Sequence, residues 1–202
     1  MITLVDYGLG NIQAFMHIYK RLNIPSTRAT TTQELESATK IVLPGVGSFD
    51  WAMQRLQSSG MREALDYLVI EKKVPVLGIC VGMQMMAQYS EEGVMAGLGW
   101  IPGEVKRFDE ALFKTRTHLP HMGWNDVCFE ENPLFNNLNN PRFYFLHSYY
   151  FLPKNQSQLL AKTHYGEIFA SAVRNQHIFG VQFHPEKSHG WGVQLLQNFA
   201  EL

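Results

Sequence analysis

Two separate stretches of the chain carry the residue types and spacing needed for acyl-transfer chemistry. The first is Val74-Pro75-Val76-Leu77-Gly78-Ile79-Cys80-Val81-Gly82-Met83-Gln84-Met85-Met86-Ala87. A valine-rich apolar run ends on Gly-Ile-Cys-Val-Gly, and an apolar helical pattern follows. This is the layout of a nucleophile elbow, with cysteine in the place usually held by serine. Gly78 and Gly82 keep Cβ atoms out of the crowded turn. The helix predicted after it starts beneath the sulfur, where its dipole favours thiolate. The competing reading is a core cysteine on a buried parallel strand. The second stretch is Gly180-Val181-Gln182-Phe183-His184-Pro185-Glu186-Lys187-Ser188. Residues i and i+2 of an extended segment share a face, so Glu186 can reach the His184 imidazole. Pro185 biases His184 toward extended geometry. The set defines a nucleophile in Cys80, a base in His184 that returns the proton to a leaving amine, and an orienting carboxylate in Glu186. Oxyanion donors are expected from the Val81 N–H and from the Pro44-Gly45-Val46-Gly47 loop at Val46 and Gly47.

The elements that must position these groups read as an α/β pattern. Residues 2–5 form a short apolar strand that runs into Asp6-Tyr7-Gly8-Leu9-Gly10-Asn11. Ile12, Phe15, Met16, Tyr19 and Leu22 then recur at amphipathic-helix spacing. A weak strand lies at 26–29, a turn and short helix at 30–37, and a clear buried strand at 40–43. Helical pattern runs to about Leu56 and again from Met61 to Lys72, before the elbow strand. The β-α alternation predicts a mostly parallel central sheet with helices on both faces, and the loops after its strands on one rim. Beyond residue 90 the chain becomes strand-rich, with pieces at 142–151, 159–164, 168–174 and 177–183. Asn132 to Pro141 is expected to be a surface loop. A last helix carries Val193, Leu195, Leu196, Phe199 and Ala200.

At 202 residues the simplest organisation is one domain over 1–202. The 46% of hydrophobic residues supply a sizeable core. With 17 basic against 18 acidic residues the chain lacks the basic field expected of a nucleic-acid binder. No apolar stretch approaches the roughly 18 residues of a membrane span, and the N-terminus lacks signal-peptide character. A soluble, cytoplasmic protein is expected, in which the two cysteines, Cys80 and Cys128, stay reduced. Gly8-x-Gly10 lacks the third glycine of a dinucleotide fingerprint, since Gln13 stands there. His177, His184, Glu186 and His189 cluster in sequence without metal-ligand spacing, so neither metal nor cofactor is expected.

Gly-Ile-Cys-Val-Gly-Met-Gln together with Phe-His-Pro-Glu resembles the class I, triad-type glutamine amidotransferases. Within that class, Asp6–Asn11, Pro44–Phe49, His121-Met122-Gly123-Trp124-Asn125, Phe145–Tyr149 and His184–Ser188 are similar to the glutaminase subunits of imidazole glycerol phosphate synthases. The resemblance runs from residue 2 to the last helix. It implies a flavodoxin-like amidotransferase fold and glutamine hydrolysis through a glutamyl thioester on Cys80. It also implies that Gly47, Gln84, Glu92, Ser148 and Tyr149 surround the glutamine. The implied partner is a HisF-type (β/α)8 cyclase, bound as a heterodimer near Leu9, Asn11, Trp124, Tyr144 and Lys187. Ammonia would pass to that cyclase to form imidazole glycerol phosphate and aminoimidazole carboxamide ribonucleotide in histidine biosynthesis.

Two departures keep alternatives open. Val81 stands where such subunits most often have leucine. The tail Lys187-Ser188-His189-Gly190-Trp191-Gly192 resembles second copies that supply ammonia for surface-polysaccharide amidation. A stand-alone cysteine hydrolase on the same scaffold would work without a partner and on amides other than glutamine.

Overall fold

A computed structural model describes residues 1–113 and 118–202. In chain order the elements are β1 (Ile2–Val5), α1 (Ile12–Arg21), β2 (Ser26–Ala29), α2 (Thr32–Leu35), β3 (Ile41–Gly45), α3 (Phe49–Ser58), α4 (Arg62–Asp66), β4 (Val76–Cys80) and α5 (Val81–Gln84). They continue as β5 (Tyr89–Ser90), β6 (Gly103–Arg107), β7 (His121–Asp126), β8 (Cys128–Phe129), β9 (Arg142–His147), β10 (Tyr149–Pro153), β11 (Leu159–Tyr165), β12 (Glu167–Asn175), β13 (Ile178–Val181) and α6 (His189–Glu201). Local chemistry explains several boundaries. The Asn11 side chain accepts from the Ala14 N–H and caps α1. Thr31 and Glu34 form a reciprocal capping box that starts α2.

The main sheet runs β2-β1-β3-β4-β13-β12-β10-β6-β5. From β2 to β13 every neighbour is parallel. Strands β1, β3 and β4 are buried along their whole length, which is why they read as continuous apolar runs. Parallel pairing puts the carboxyl ends of β1, β3, β4 and β13 on one rim. Gly45 lies opposite Cys80, and Val181 opposite Ile79. The second half of the sheet is largely antiparallel, and β7 and β9 pair as a separate antiparallel ribbon.

Four local expectations are refined. The apolar stretch 142–151 is two strands in two different sheets, with the chain changing sheets at Ser148. Its buried positions, Phe143, Phe145, His147 and Phe151, keep the same parity across the break. Alternation along the sequence therefore cannot reveal it. The elbow helix α5 is a single turn. Gly97, Leu98, Gly99 and Ile101 donate backbone N–H groups to the carbonyls of Gln88, Met85, Ala87 and Met86, which a longer helix would need for itself. Helix α4 passes into a π-helical turn at Tyr67–Glu71. Finally, 132–141 is not simply surface loop. It buries Leu134, Phe135 and Leu138, and Asn198 of α6 donates to the carbonyls of Leu134 and Asn136.

The elbow is packed backbone to backbone. A Cβ on Gly82 would strike the Leu43 carbonyl oxygen, and one on Gly78 would lie 2.7 Å from the Gly82 carbonyl oxygen. Overpacking of this kind costs about 1–3 kcal/mol. Gly82→Ala is expected to lower the melting temperature by roughly 3–10 °C, at about 2–4 °C per kcal/mol for a chain this long. A calorimetric scan that leaves it unchanged would refute this packing.

Candidate active site

Strand β4 delivers Cys80 with φ 55° and ψ −114°. An L-residue reaches this region only under constraint, at a cost of about 1–3 kcal/mol. The strain turns the side chain off the strand while the main chain enters α5. The sulfur lies 3.9 Å from the Leu146 carbonyl and 3.7 Å from Gln182 Nε2, and its interaction with the His184 ring is among the causes that raise that ring's pKa.

His184 Nδ1 lies 2.8 Å from Glu186 Oε1. A carboxylate only accepts, so Nδ1 carries a proton and Nε2 is the nitrogen left for the sulfur. Burial opposes charging of this imidazole. The hydrogen bonds and charges of Cys80 and Glu186 outweigh it and raise the His184 pKa to about 10. The backbone of His184 is fixed as well. Its N–H donates to the Tyr144 carbonyl at 2.8 Å, and Ser188 Oγ donates to its carbonyl at 2.6 Å while accepting from the Tyr144 N–H at 3.0 Å. The other carboxylate oxygen of Glu186 is buried and has no hydrogen-bond partner among the described residues.

The oxyanion candidates lie on the chain segments that meet at the elbow. A Cβ on Gly45 would clash with Gly82 N and lie 2.8 Å from the Val81 carbonyl carbon, so this loop rests directly on the elbow. Val46 follows, exposed, and Gly47 has φ +87°. The Tyr7 hydroxyl donates to the Pro44 carbonyl at 2.8 Å and anchors the loop from below. Val81 opens α5, so its N–H has no partner within the helix.

Gln84 is buried and donates from Nε2 to the Tyr149 carbonyl at 2.9 Å and to Gln182 Oε1 at 3.0 Å. Both its hydrogens are used, so Oε1 is what it has left to present. Ser148 sits at the sheet change, its carbonyl accepting from the Phe108 N–H at 3.2 Å. Glu92 accepts from the Phe49 N–H at 2.8 Å at the start of α3. Asp50 reciprocates by accepting from the Val94 and Met95 N–H groups. This clasp ties the 90–95 loop to the segment that follows Gly47. Burial raises the Glu92 pKa, the Phe49 N–H opposes that, and Asp50 adds to it.

Trp124, Tyr144 and Lys187 come together on the surface. The Trp124 ring is 38% exposed, which excludes a role as core filler. It meets Tyr144 edge-on at 6.3 Å and stacks on His189 at 5.2 Å. Lys187 Nζ lies 5.6 Å from the centre of the Tyr144 ring. Leu9 is partly buried against the core, and Asn11 is exposed with its carbonyl oxygen occupied by the α1 cap. His177 is turned away, 2.7 Å from the Val69 carbonyl.

Sequence reasoning missed Gln182, Ser188 and a histidine pair. Gln182 was detectable as a polar residue in an otherwise apolar run, two positions before His184. His121 Nδ1 lies 3.0 Å from His147 Nε2, and His147 Nδ1 lies 2.8 Å from the Tyr149 carbonyl. Burial lowers the His121 pKa to about 4. Burial, then the His121 and His184 charges, lower that of His147 to about 3 against the opposing Tyr149 carbonyl.

A buried cysteine on a strained elbow, coupled to a histidine that a carboxylate orients, is the arrangement of a triad-type acyl-transfer enzyme. The class-I glutamine amidotransferase family model matches residues 3–202, and the chain belongs to that family. A solved structure titled glutamine amidotransferase superposes with a TM-score of 0.75 at 17% identity, covering 100% of this chain and 99% of that one. Full-length relatives narrow the placement to the imidazole glycerol phosphate synthase subunit HisH. The subunit from Bdellovibrio bacteriovorus is 57% identical over 204 residues, with 100% of both chains covered. The Pseudomonas aeruginosa protein named HisH 2 is 44% identical over the same length, again covering 100% of both.

The shifts fix the sign of the pH dependence. His121 and His147 have folded pKa values below the unfolded value of about 6.5, so the unfolded chain binds more protons below that pH. Their contribution to stability is complete above about 6.5 and is lost as pH falls toward 4 and 3. His184 acts oppositely, stabilising below about 6.5 and losing that contribution as pH rises through about 10. The rings facing the pair are Phe108, Phe145, Tyr165 and Phe169, so no carboxylate among these neighbours offsets the acid effect. Urea midpoints at pH 7 and pH 5 are expected to separate in the wild type and to converge in a His121→Gln/His147→Gln variant. Equal separations in the two proteins would refute this assignment.

Proposed function

We propose that the chain hydrolyses L-glutamine to glutamate and ammonia as the glutaminase subunit of an imidazole glycerol phosphate synthase. The observation that carries this reading is Cys80 on its strained elbow together with His184, whose Nδ1 lies 2.8 Å from Glu186 Oε1. With the His184 pKa raised to about 10, the thiol proton already sits on His184 Nε2, and the Cys80 thiolate attacks the glutamine side-chain amide carbon. The carbonyl electron pair moves onto oxygen, which the Val81 N–H and the Val46–Gly47 peptide are placed to receive. Collapse breaks the C–N bond, His184 protonates the leaving nitrogen, and ammonia departs from a glutamyl thioester. Water activated by the neutral His184 then attacks the thioester carbon and releases glutamate and the thiol. Gly47, Gln84, Glu92, Ser148 and Tyr149 hold the substrate, with Glu92 facing the α-ammonium.

Ammonia is useful to such an enzyme only if a second protein receives it. The exposed patch beside the catalytic turn, with Met122, Trp124, Tyr144 and Lys187, suits a partner surface. We assign it to a HisF-type (β/α)8 cyclase, bound as a heterodimer. That cyclase would use the ammonia to make imidazole glycerol phosphate and aminoimidazole carboxamide ribonucleotide. Supply of ammonia for polysaccharide amidation is not favoured, because the full-length relatives, numbered copies included, are named for imidazole glycerol phosphate synthase. Among the described residues no helix is long and apolar enough to cross a membrane.

Two outcomes are expected. Cys80→Ala abolishes glutamine-dependent product formation in the complex and leaves synthesis from free ammonium, read by glutamate release and product assay side by side. Retained glutamate release would disprove the nucleophile. Trp124→Ala raises the partner's Kd by about tenfold or more, as buried aromatic anchors do. Calorimetric titration showing an unchanged Kd would move the interface elsewhere.

A further inference from the structure

The histidine pair is more than core filling, because its hydrogen bonds have one consistent direction. The Tyr149 carbonyl can only accept, so His147 Nδ1 is the protonated nitrogen and its Nε2 is an acceptor. His121 Nδ1–H therefore donates to His147 Nε2 at 3.0 Å. That leaves His121 Nε2 to accept from Asn125 Nδ2, 3.2 Å away, which also donates to the His164 carbonyl at 2.9 Å. Every polar atom in the chain Asn125–His121–His147–Tyr149 has its role fixed when both rings are neutral, which their burial enforces. The Tyr149 carbonyl uses its second lone pair for Gln84 Nε2 at 2.9 Å.

The location of this chain gives it a task. His147 is the last residue of β9, and Tyr149 is the first of β10, which pairs in another sheet. The Ser148 carbonyl is held by the Phe108 N–H, and side chains tie the two strands together across the break. His147 lies across it, anchored by His121 directly opposite in β7. Alternate residues of β7 face opposite ways. His121 is buried, whereas Met122 and Trp124 are exposed. The relay thus joins the inner side of the strand that carries Trp124 to the residues assigned to glutamine.

We propose that His147, oriented by His121, is a positioning residue of the glutaminase reaction, holding the Tyr149 carbonyl and through it the Gln84 amide across the β9–β10 break. The proposal rests on the glutaminase reading of the site.

Three variants of the complex with the cyclase partner separate this from simple packing. His147→Phe fills the volume without hydrogen bonds. His147→Asn puts an N–H near the Nδ1 position and keeps the bond to Tyr149. His147→Gln reaches the Nε2 position and keeps only the bond to His121. The KM for glutamine is expected to rise about tenfold in the Phe and Gln variants, the loss of roughly one buried hydrogen bond. It should stay within about threefold of wild type in the Asn variant, with kcat at saturating glutamine changing less than KM throughout. If the Phe variant fails to fold, the contrast between Asn and Gln decides alone. Unmoved KM values, or Asn matching Gln, in a series whose wild type hydrolyses glutamine would overturn the positioning role and leave the glutaminase reading intact. A wild-type complex that releases no glutamate would overturn both.

Discussion

The backbone of Cys80 is the constraint on which the site depends. A residue with a side chain adopts φ 55° and ψ −114° only when its surroundings leave it no alternative. Those surroundings are main chain. Gly45 rests on Val81 and Gly82, Gly82 on Leu43 and Pro44, and Gly78 on Gly82 and Met86. Three missing Cβ atoms allow β3, β4 and α5 to approach at backbone distance. Val81 follows Cys80, and Val46 follows Gly45, which lies opposite Cys80. Strain at Cys80 and the close approach of the Pro44–Gly47 loop are one packing event.

Around this rigid point the site is assembled from polar groups in a largely apolar interior. Each is fixed by hydrogen bonds to specific partners. Glu186 sets the tautomer of His184, Ser188 and Tyr144 hold its main chain, and Gln182 links the Cys80 sulfur to Gln84. In a low-dielectric interior an unsatisfied donor is costly, so these side chains have few alternative positions. The 90–95 loop is tied down differently, by the reciprocal clasp of Glu92 and Asp50 with the backbone of the opposite segment.

The surface beside the catalytic turn contrasts with this interior. Trp124, stacked on His189, and Met122 stand out from the same strand whose inner face carries His121 and Asn125. A strand has two faces by geometry. Here one is exposed and the other faces His147 and, through it, the Tyr149 carbonyl. The short path between them follows from a two-stranded ribbon, β7 and β9, that lies outside the main sheet.

The buried parallel strands were legible in the sequence because they are largely apolar, and β3 and β4 end on Gly45 and Cys80. The His-x-Glu pairing was legible from its spacing, but the structure makes it on a 3-10 turn, Pro185–Lys187, and not on the extended chain that the i, i+2 rule assumes; the pair is still local and needs no tertiary contact. The elbow's glycines marked its tight turn for the same reason. Other features were decided only by the folded molecule. The break at Ser148 is hidden because burial parity continues through it. The helix after Cys80 looks long in the sequence, but backbone donors from 97–101 take its carbonyls. The roles of Gln182, His121 and His147 come from hydrogen bonds between residues distant in the chain. Sequence patterning determined the strands, the turns and the local pair of chemical groups. Tertiary structure decided which distant partners complete each buried polar atom, because that depends on where separate strands meet.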